Sequence, residues 1–587
     1  MTFMPIDLPV LAEPRRAIWP ARAISTLVVI VVALLAGSCQ TAPTAATDDW
    51  NAYAARSLEA YFEANPTVAV WAGRHEFDGR LPDWSAAGMQ REIARLHAER
   101  ERAARFPIER LDANQRFERE LLLAKIDADL FWLESAQSPF RNPAYYGGML
   151  DPNVYLARPY APPAQRLRAY LTYAKAVPAA VAQIRANLRT PMPREFIRIG
   201  HITFGGLATF YESEVAAIFA AHPDNALQQD FRVANAEAIR AMRELDAWLT
   251  SLEPTATDDH ALGAALYQQM LQATERVSTP IARLKAIGEA DLQRNLAALR
   301  EACAALAPGR SLQECVAQAH ADKPRDSPVL AAQRQLGELR AFIVAHALVS
   351  IPGTEVAVTQ EAPPYMRWNF AYIDIPGPFE NHLPSTYYIA PPDPAWTPAE
   401  QAAYLPSSAD LLFTSVHEVW PGHFLQFLHS NRAPSRSSRV YLSYAYTEGW
   451  AHYAEELMWE AGLGDGDPRA HIGQLLLALL RDVRFVSAIG MHTEGMTVAA
   501  SEQMFRELAF QDPGNARQQA ARGTFDPGYG NYTLGKLMIR QLRDEWTAGR
   551  GGRAAWKAFH DEFLAHGAPP IPLVRQLMLG ETAGPAW

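Results

Sequence analysis

From Trp50 to about Ile351 the chain repeats apolar residues at three- and four-residue spacing almost without pause. "SLEAYFEANP", "RFERELLLAKIDADLFWLES", "RLRAYLTYAKAVPAAVAQIRANL" and "LKAIGEADLQRNLAALREACAAL" all carry it. That period belongs to amphipathic helices that bury one face each, so this stretch must fold as packed helices. Sparse glycine (34 in 587 residues) agrees, and the 43 prolines supply helix starts and loops such as "SPFRNPAYYGGMLDPN". No repeat of solenoid period is present. The chain is long enough for a large core and one or two domains. A net charge of −10 without a long basic run argues against a nucleic-acid partner.

Between 354 and 390 the period changes. "TEVAVTQ", "WNFAYIDIP" and "STYYIAPP" are short, β-branched and aromatic, and read as two or three strands of a small sheet. Helical patterning then returns to the C-terminus. The chain therefore divides into an N-terminal helical lobe, 51–350, and a C-terminal lobe, 351–587, that holds the sheet.

The first residues follow another logic. Arg15, Arg16 and Arg22 precede an apolar run from Ile24 to Ala36, and "LLAGSC" ends at Cys39. This is the order of an export signal, and its apolar run is shorter than a bilayer span. Ala36, Gly37 and Ser38 before Cys39 resemble a bacterial lipoprotein box. Residues 1–38 are then a signal peptide, Cys39 the lipid-bearing N-terminus, and 39–50 a tether. A plain signal peptide or an uncleaved anchor are the alternatives. Gln40 after the cysteine favours the outer membrane. The remaining cysteines, Cys303 and Cys315, flank a Pro308–Gly309 turn and a Ser311/Glu314 capping box; a disulfide across a helical hairpin is the favoured reading, and two unpaired buried cysteines the alternative.

The chemistry concentrates in "HEVWPGH", residues 417–423. In an H-E-x-x-H helix the two histidines stand four apart on one face and share an ion. Here Pro421 occupies that place and the second histidine is His423. Six residues apart on a straight helix, the two would be about 240° round and about 9 Å along, too far for one metal. Pro421, however, has no N–H to give to the carbonyl of His417, and its ring crowds that carbonyl. Gly422 permits backbone geometry other residues resist. A bulge or broken turn across Val419–Gly422 would bring His423 back to the face of His417. Two histidines in a merely kinked helix remain the alternative. Downstream, "YLSYAYTEGWAHYAEELMWEAGLG" is a strong helix that Gly462 would end. It places Glu448, His452 and Glu455 on one face. Glu448 lies among Tyr444, Tyr446, Trp450 and Tyr453, and a buried carboxylate needs a partner. Glu456 and Glu460 fit a solvated face.

"HEVWPGHFLQ", "YTEGWAHYAEEL", "FDPGYGNYTLGKLMIRQLRDEW" and "FHDEFLAHGAPPIPLV" resemble, in order, a bacterial family catalogued only as a domain of unknown function. Its members are often lipoproteins, are regarded as zincin-like peptidase relatives, and share the extended H-E-x-x-P-G-H spacing. A more distant similarity runs to the thimet-oligopeptidase-like gluzincins. The resemblance implies a mostly α, large helical zincin-like metallopeptidase fold with a small β-sheet beside the active-site helix. It implies His417, His423 and Glu448 as ligands of one Zn2+ and Glu418 as general base. Tyr532 would supply a hydrogen bond to the oxyanion, and Tyr529 a substrate contact; two core tyrosines is the alternative. His492 stands at a family histidine position and could bind substrate or the intermediate, although Ser487 replaces the family's preceding aspartate; a structural histidine is the alternative. His452 is atypical for its position, either a support to Glu448 or Glu455 or incidental. The function so implied is zinc-dependent hydrolysis of short peptides in the cell envelope. The alternatives are a lipoprotein that keeps the scaffold for binding alone, and a metal-dependent amide or ester hydrolase.

Overall fold

In the computed structural model, described for residues 45–587 apart from 221–222, 364–366, 368–369, 381–382, 394 and 581–582, helices dominate as the periodicity predicts. The expected signal peptide, the expected lipid anchor at Cys39 and the first part of the expected tether lie outside the described residues. So does most of the "PPYMRW" loop. The expected tether is shorter than drawn, because a helix begins at Ala45 and runs to Ala64. Trp50, within that helix, is fully buried, and this is what ends the linker. No helix among the described residues is long and apolar enough to cross a membrane.

Apolar side chains gather in two large clusters. One spans Trp50 to Leu249 and adds Val440 and Tyr441; the other takes Phe131, Ala136 and buried residues from Tyr267 to Met578. The division thus falls near residue 250 rather than 350. Helices Ile281–Leu306, Leu312–His320 and Pro328–Ala345 carry their apolar faces into the C-terminal core. Periodicity reports that a helix has an apolar face but not which partner covers it, so the sequence could not set this boundary. Cys303 and Cys315 form the expected disulfide between the first two of these helices, and Ser311 and Glu314 make the capping box.

Three strands form the small sheet: β1 (Ala357–Glu361), β2 (Ala371–Asp374) and β3 (Ser385–Ile389). Their order is β1-β3-β2, with β3 parallel to β1 and antiparallel to β2. All five residues of β3 are buried, as a central strand's should be. From its inner face the Tyr387 hydroxyl meets the Ser415 hydroxyl at 3.4 Å, which sets the sheet against the helix that precedes the HEVWPGH turn.

Candidate metal centre

The motif helix, Ser408–Glu418, starts with a capping box between Ser407 and Asp410 and stops where the argument from Pro421 requires. Val419 leaves helical geometry, the Trp420–Pro421 bond is cis, and a second helix, His423–Ser430, begins two residues later. The break is closed by local hydrogen bonds. Val419 and Trp420 N–H both donate to Ser415 O, at 3.0 and 3.2 Å, and Gly422 N–H donates to Val416 O at 2.9 Å. Gly422 packs directly onto the preceding turn; a Cβ there would stand 1.7 Å from His417 O, so no other residue fits. Pro421 O, freed by the break, accepts from the Trp450 indole N–H at 2.8 Å.

The consequence is convergence. The His417 and His423 rings lie 4.8 Å apart and nearly perpendicular. Glu448 comes from the glutamate helix, Tyr444–Glu460, whose end is marked by Gly462 at φ +101°. Its Oε2 lies 3.4 Å from His417 Nε2 and 3.3 Å from His423 Nε2. The donor atoms of the three residues all fall within 4.8 Å of one another. Glu448 Oε2 and His423 Nδ1 are buried and make no hydrogen bond. Two imidazoles and a carboxylate converging on one point are a donor set for a transition metal, zinc foremost.

A support lies behind the ligands. His417 Nδ1 pairs with Glu455 Oε1 at 2.7 Å, which leaves Nε2 as the outward lone pair. Glu455 is fully buried and is held in turn by Arg481 at 3.1 Å and by His452 Nδ1 at 3.3 Å. Burial pushes the Glu455 carboxyl up, but Arg481, His417 and His452 outweigh it and hold it far below the usual range. Burial and Arg481 both oppose a charge on His417, yet Glu448 and Glu455 raise its pKa to about 9. The carboxylates thus favour positive charge at the point where Nε2 looks out. His452 is the support to Glu455 that one of its two sequence readings offered. Its burial drives its pKa down to about 3, so it is a neutral imidazole.

Glu418 closes the motif helix. Burial raises its carboxyl above the usual range, against the pull of His423 and His417. Tyr532 begins the tyrosine helix, Asn531–Ala548, with its ring stacked 6.3 Å from that of His417. Burial and Glu448 raise its hydroxyl, so it is a protonated donor. Its position follows from a backbone-to-backbone helix crossing. A Cβ on Gly449 would lie 2.5 Å from Gly535 Cα, and one on Gly535 would lie 1.8 Å from Ala445 O. The glutamate and tyrosine helices therefore touch one residue after Glu448 and three after Tyr532.

Three expectations need correction. His492 is 1% exposed; its Nε2 donates to Gly523 O at 2.7 Å and its Nδ1 accepts from Leu262 N–H at 3.3 Å. With both nitrogens committed to backbone, and its pKa lowered to about 4 by burial, it ties loops together and handles no substrate. Tyr529 is fully buried, its hydroxyl bonded to Ser487 Oγ at 2.7 Å, so the core alternative holds and the substrate contact does not. Glu456 is buried rather than solvated, and it pairs with Arg540 at 2.9 Å and Arg294 at 3.1 Å. Sequence reasoning missed Arg481 altogether and did not assign Glu455. The signal for Glu455 was its place two turns after Glu448 on the same buried face.

Profile comparison matches residues 66–578 to a family described as "Bacterial protein of unknown function (DUF885)". The chain belongs to DUF885. No curated protein matches it. Two solved structures share its fold: a candidate lipoprotein of unknown function from Shewanella oneidensis and one from Colwellia psychrerythraea. The first has TM-score 0.75 and 23% identity over 90% of this chain and 99% of its own. The second has TM-score 0.74 and 17% identity over 91% and 98%. For this DUF885 chain they fix the mostly helical architecture and leave the chemistry to the residues.

Proposed function

We propose that this protein is a zinc-dependent peptidase of the cell envelope, with His417, His423 and Glu448 as the metal ligands. One observation carries the reading: a broken helix turns two histidines toward a buried carboxylate oxygen that has no hydrogen bond. When bound there, a zinc ion acidifies water and polarises a carbonyl oxygen. Glu418, whose carboxyl is raised by burial, takes the proton from the attacking water and passes it to the leaving amine. Tyr532, a protonated hydroxyl beside His417, donates to the developing oxyanion. Glu455 fixes the His417 tautomer, and Arg481 keeps Glu455 ionised.

The substrate class proposed is short peptides, a reading supported by the aromatic, proline-rich composition of "PPYMRW" and "STYYIAPP" upstream of the motif. Envelope placement through a lipid on Cys39 is supported by the basic, apolar and small-residue order before it. Both structural relatives are also described as candidate lipoproteins. The deciding experiment is metal analysis of the purified domain beside its Glu418→Gln variant. About one zinc in each, with chelator-sensitive peptide hydrolysis only in the parent, is expected. No bound metal at neutral pH would overturn the site. Metal without hydrolysis of any peptide or ester would turn the reading to a binding protein.

A further inference from the structure

Arg484 lies one turn beyond Arg481 on the helix Pro468–Thr493 and is only 8% exposed. Its Nε donates to Gln519 Oε1 at 2.8 Å, and its guanidinium sits 4.9 Å from the centre of the Tyr532 ring. The two neighbouring cations are each neutralised within the fold: Arg481 by Glu455 at 3.1 Å, Arg522 by Asp526 at 2.9 Å. Arg484 is not. Among the described residues no carboxylate stands within ion-pair distance of it. Burial and the neighbouring cations Arg522 and Arg481 lower its pKa, and the hydroxyls of Tyr532 and Tyr444 only partly offset them. Arginine stays charged regardless. A buried charge without a counter-ion is costly, and a fold that keeps one beside its metal centre holds it for a partner that arrives from outside.

We propose that Arg484 receives the C-terminal carboxylate of a short peptide whose scissile carbonyl lies at the metal centre. The inference rests on the peptidase reading above and makes that enzyme one that trims from the C-terminus. Tyr532 links the two points, since the His417 ring is 6.3 Å and the Arg484 guanidinium 4.9 Å from its ring centre. An extended chain covers about 3.5 Å per residue, so one to three residues bridge that reach. The forked guanidinium has donors left after Gln519 to hold both carboxylate oxygens. The reaction is hydrolysis: water adds to the carbonyl carbon, the C–N bond breaks, the amine nitrogen gains a proton, and a new carboxylate remains on the shortened peptide.

The test compares one tripeptide as free acid and as C-terminal amide. In hydrolysis by the zinc-loaded parent, kcat/KM for the acid should exceed that for the amide by about 100-fold. In Arg484→Gln that ratio should fall to near one, with zinc content and melting temperature as in the parent. Calorimetric binding to the zinc-loaded Glu418→Gln protein provides a reading independent of turnover, and the acid should again bind far more tightly. Equal handling of acid and amide by the parent and by Glu418→Gln overturns the proposal, as does an Arg484→Gln variant that keeps full preference. If Arg484→Gln does not fold, Arg484→Lys keeps the charge without the fork and should lose most of the preference; full preference there overturns the bidentate contact. If the parent hydrolyses neither peptide, yet binds the acid alone through Arg484, the carboxylate site stands and the peptidase reading falls.

Discussion

At the scale of single residues the candidate centre is a set of charges that answer one another. In the proposed reaction Glu418 and Tyr532 contribute chemistry without holding the ion, so their losses should separate from metal loss. Tyr532→Phe is expected to lower kcat by about 10²-fold with zinc content intact, measured by steady-state kinetics beside elemental analysis. Glu455→Gln leaves the three ligands in place but weakens the hold on the His417 tautomer. Zinc affinity should fall by roughly 10–100-fold in competition with a chelator. Unchanged affinity would show that the 2.7 Å contact to His417 supports nothing. Of the candidate residues, His417, Glu418 and His423 were marked by a local motif, and Glu448 by its aromatic surroundings and the resemblance. Arg481 and Arg484 were not, since an arginine deep within a helix gives no sign of which neighbour it will face.

At the scale of elements, the decisive device is the turn between the motif helix and the helix that starts at His423. Val419–Gly422 was the predicted point of rupture and is where the helix ends. The sequence did not reveal that the Trp450 indole would take up the Pro421 carbonyl, because the partner lies on another helix. Gly422→Ala should be severe, since its Cβ would collide with His417 O. A loss of about 3 kcal/mol in denaturant unfolding, together with loss of bound zinc, is expected. The disulfide between Cys303 and Cys315 closes a short loop, with a sequence separation of 12. Replacing both cysteines by alanine should cost about 2–3 kcal/mol by the same measurement, with activity retained.

At the scale of the whole molecule, the C-terminal core buries carboxylates that the charge pattern had not marked. Glu275 is held by Ser443 and, at 3.2 Å, by Asn531, at the start of the glutamate helix. Burial raises its pKa to about 7. A carboxyl raised in the folded state binds its proton more tightly there than in the unfolded chain. Its contribution to stability is therefore fully present below the unfolded value near 4.5 and is lost as pH rises to about 7. The Glu275→Gln protein should lack that slope, and the difference between parent and variant in urea unfolding from pH 4.5 to 7.5 isolates it.

What the sequence determined by itself was whatever depends on neighbours in the chain. The helices announce themselves by period, the strands by residue type, the break by Pro421 and Gly422, and the candidate histidine pair by the motif around it. Tertiary structure decided what depends on distance across the fold. It assigned the helices of 281–345 to the C-terminal core and seated Glu455 and Arg481 behind His417. It committed His492 and Tyr529 to structure, and left Arg484 beside Tyr532 with no carboxylate partner among the described residues. The physical reason is that a side chain's pattern fixes which way it points from its own element, while its partner is fixed only when two elements cross. Here that crossing is as close as Gly449 on Gly535.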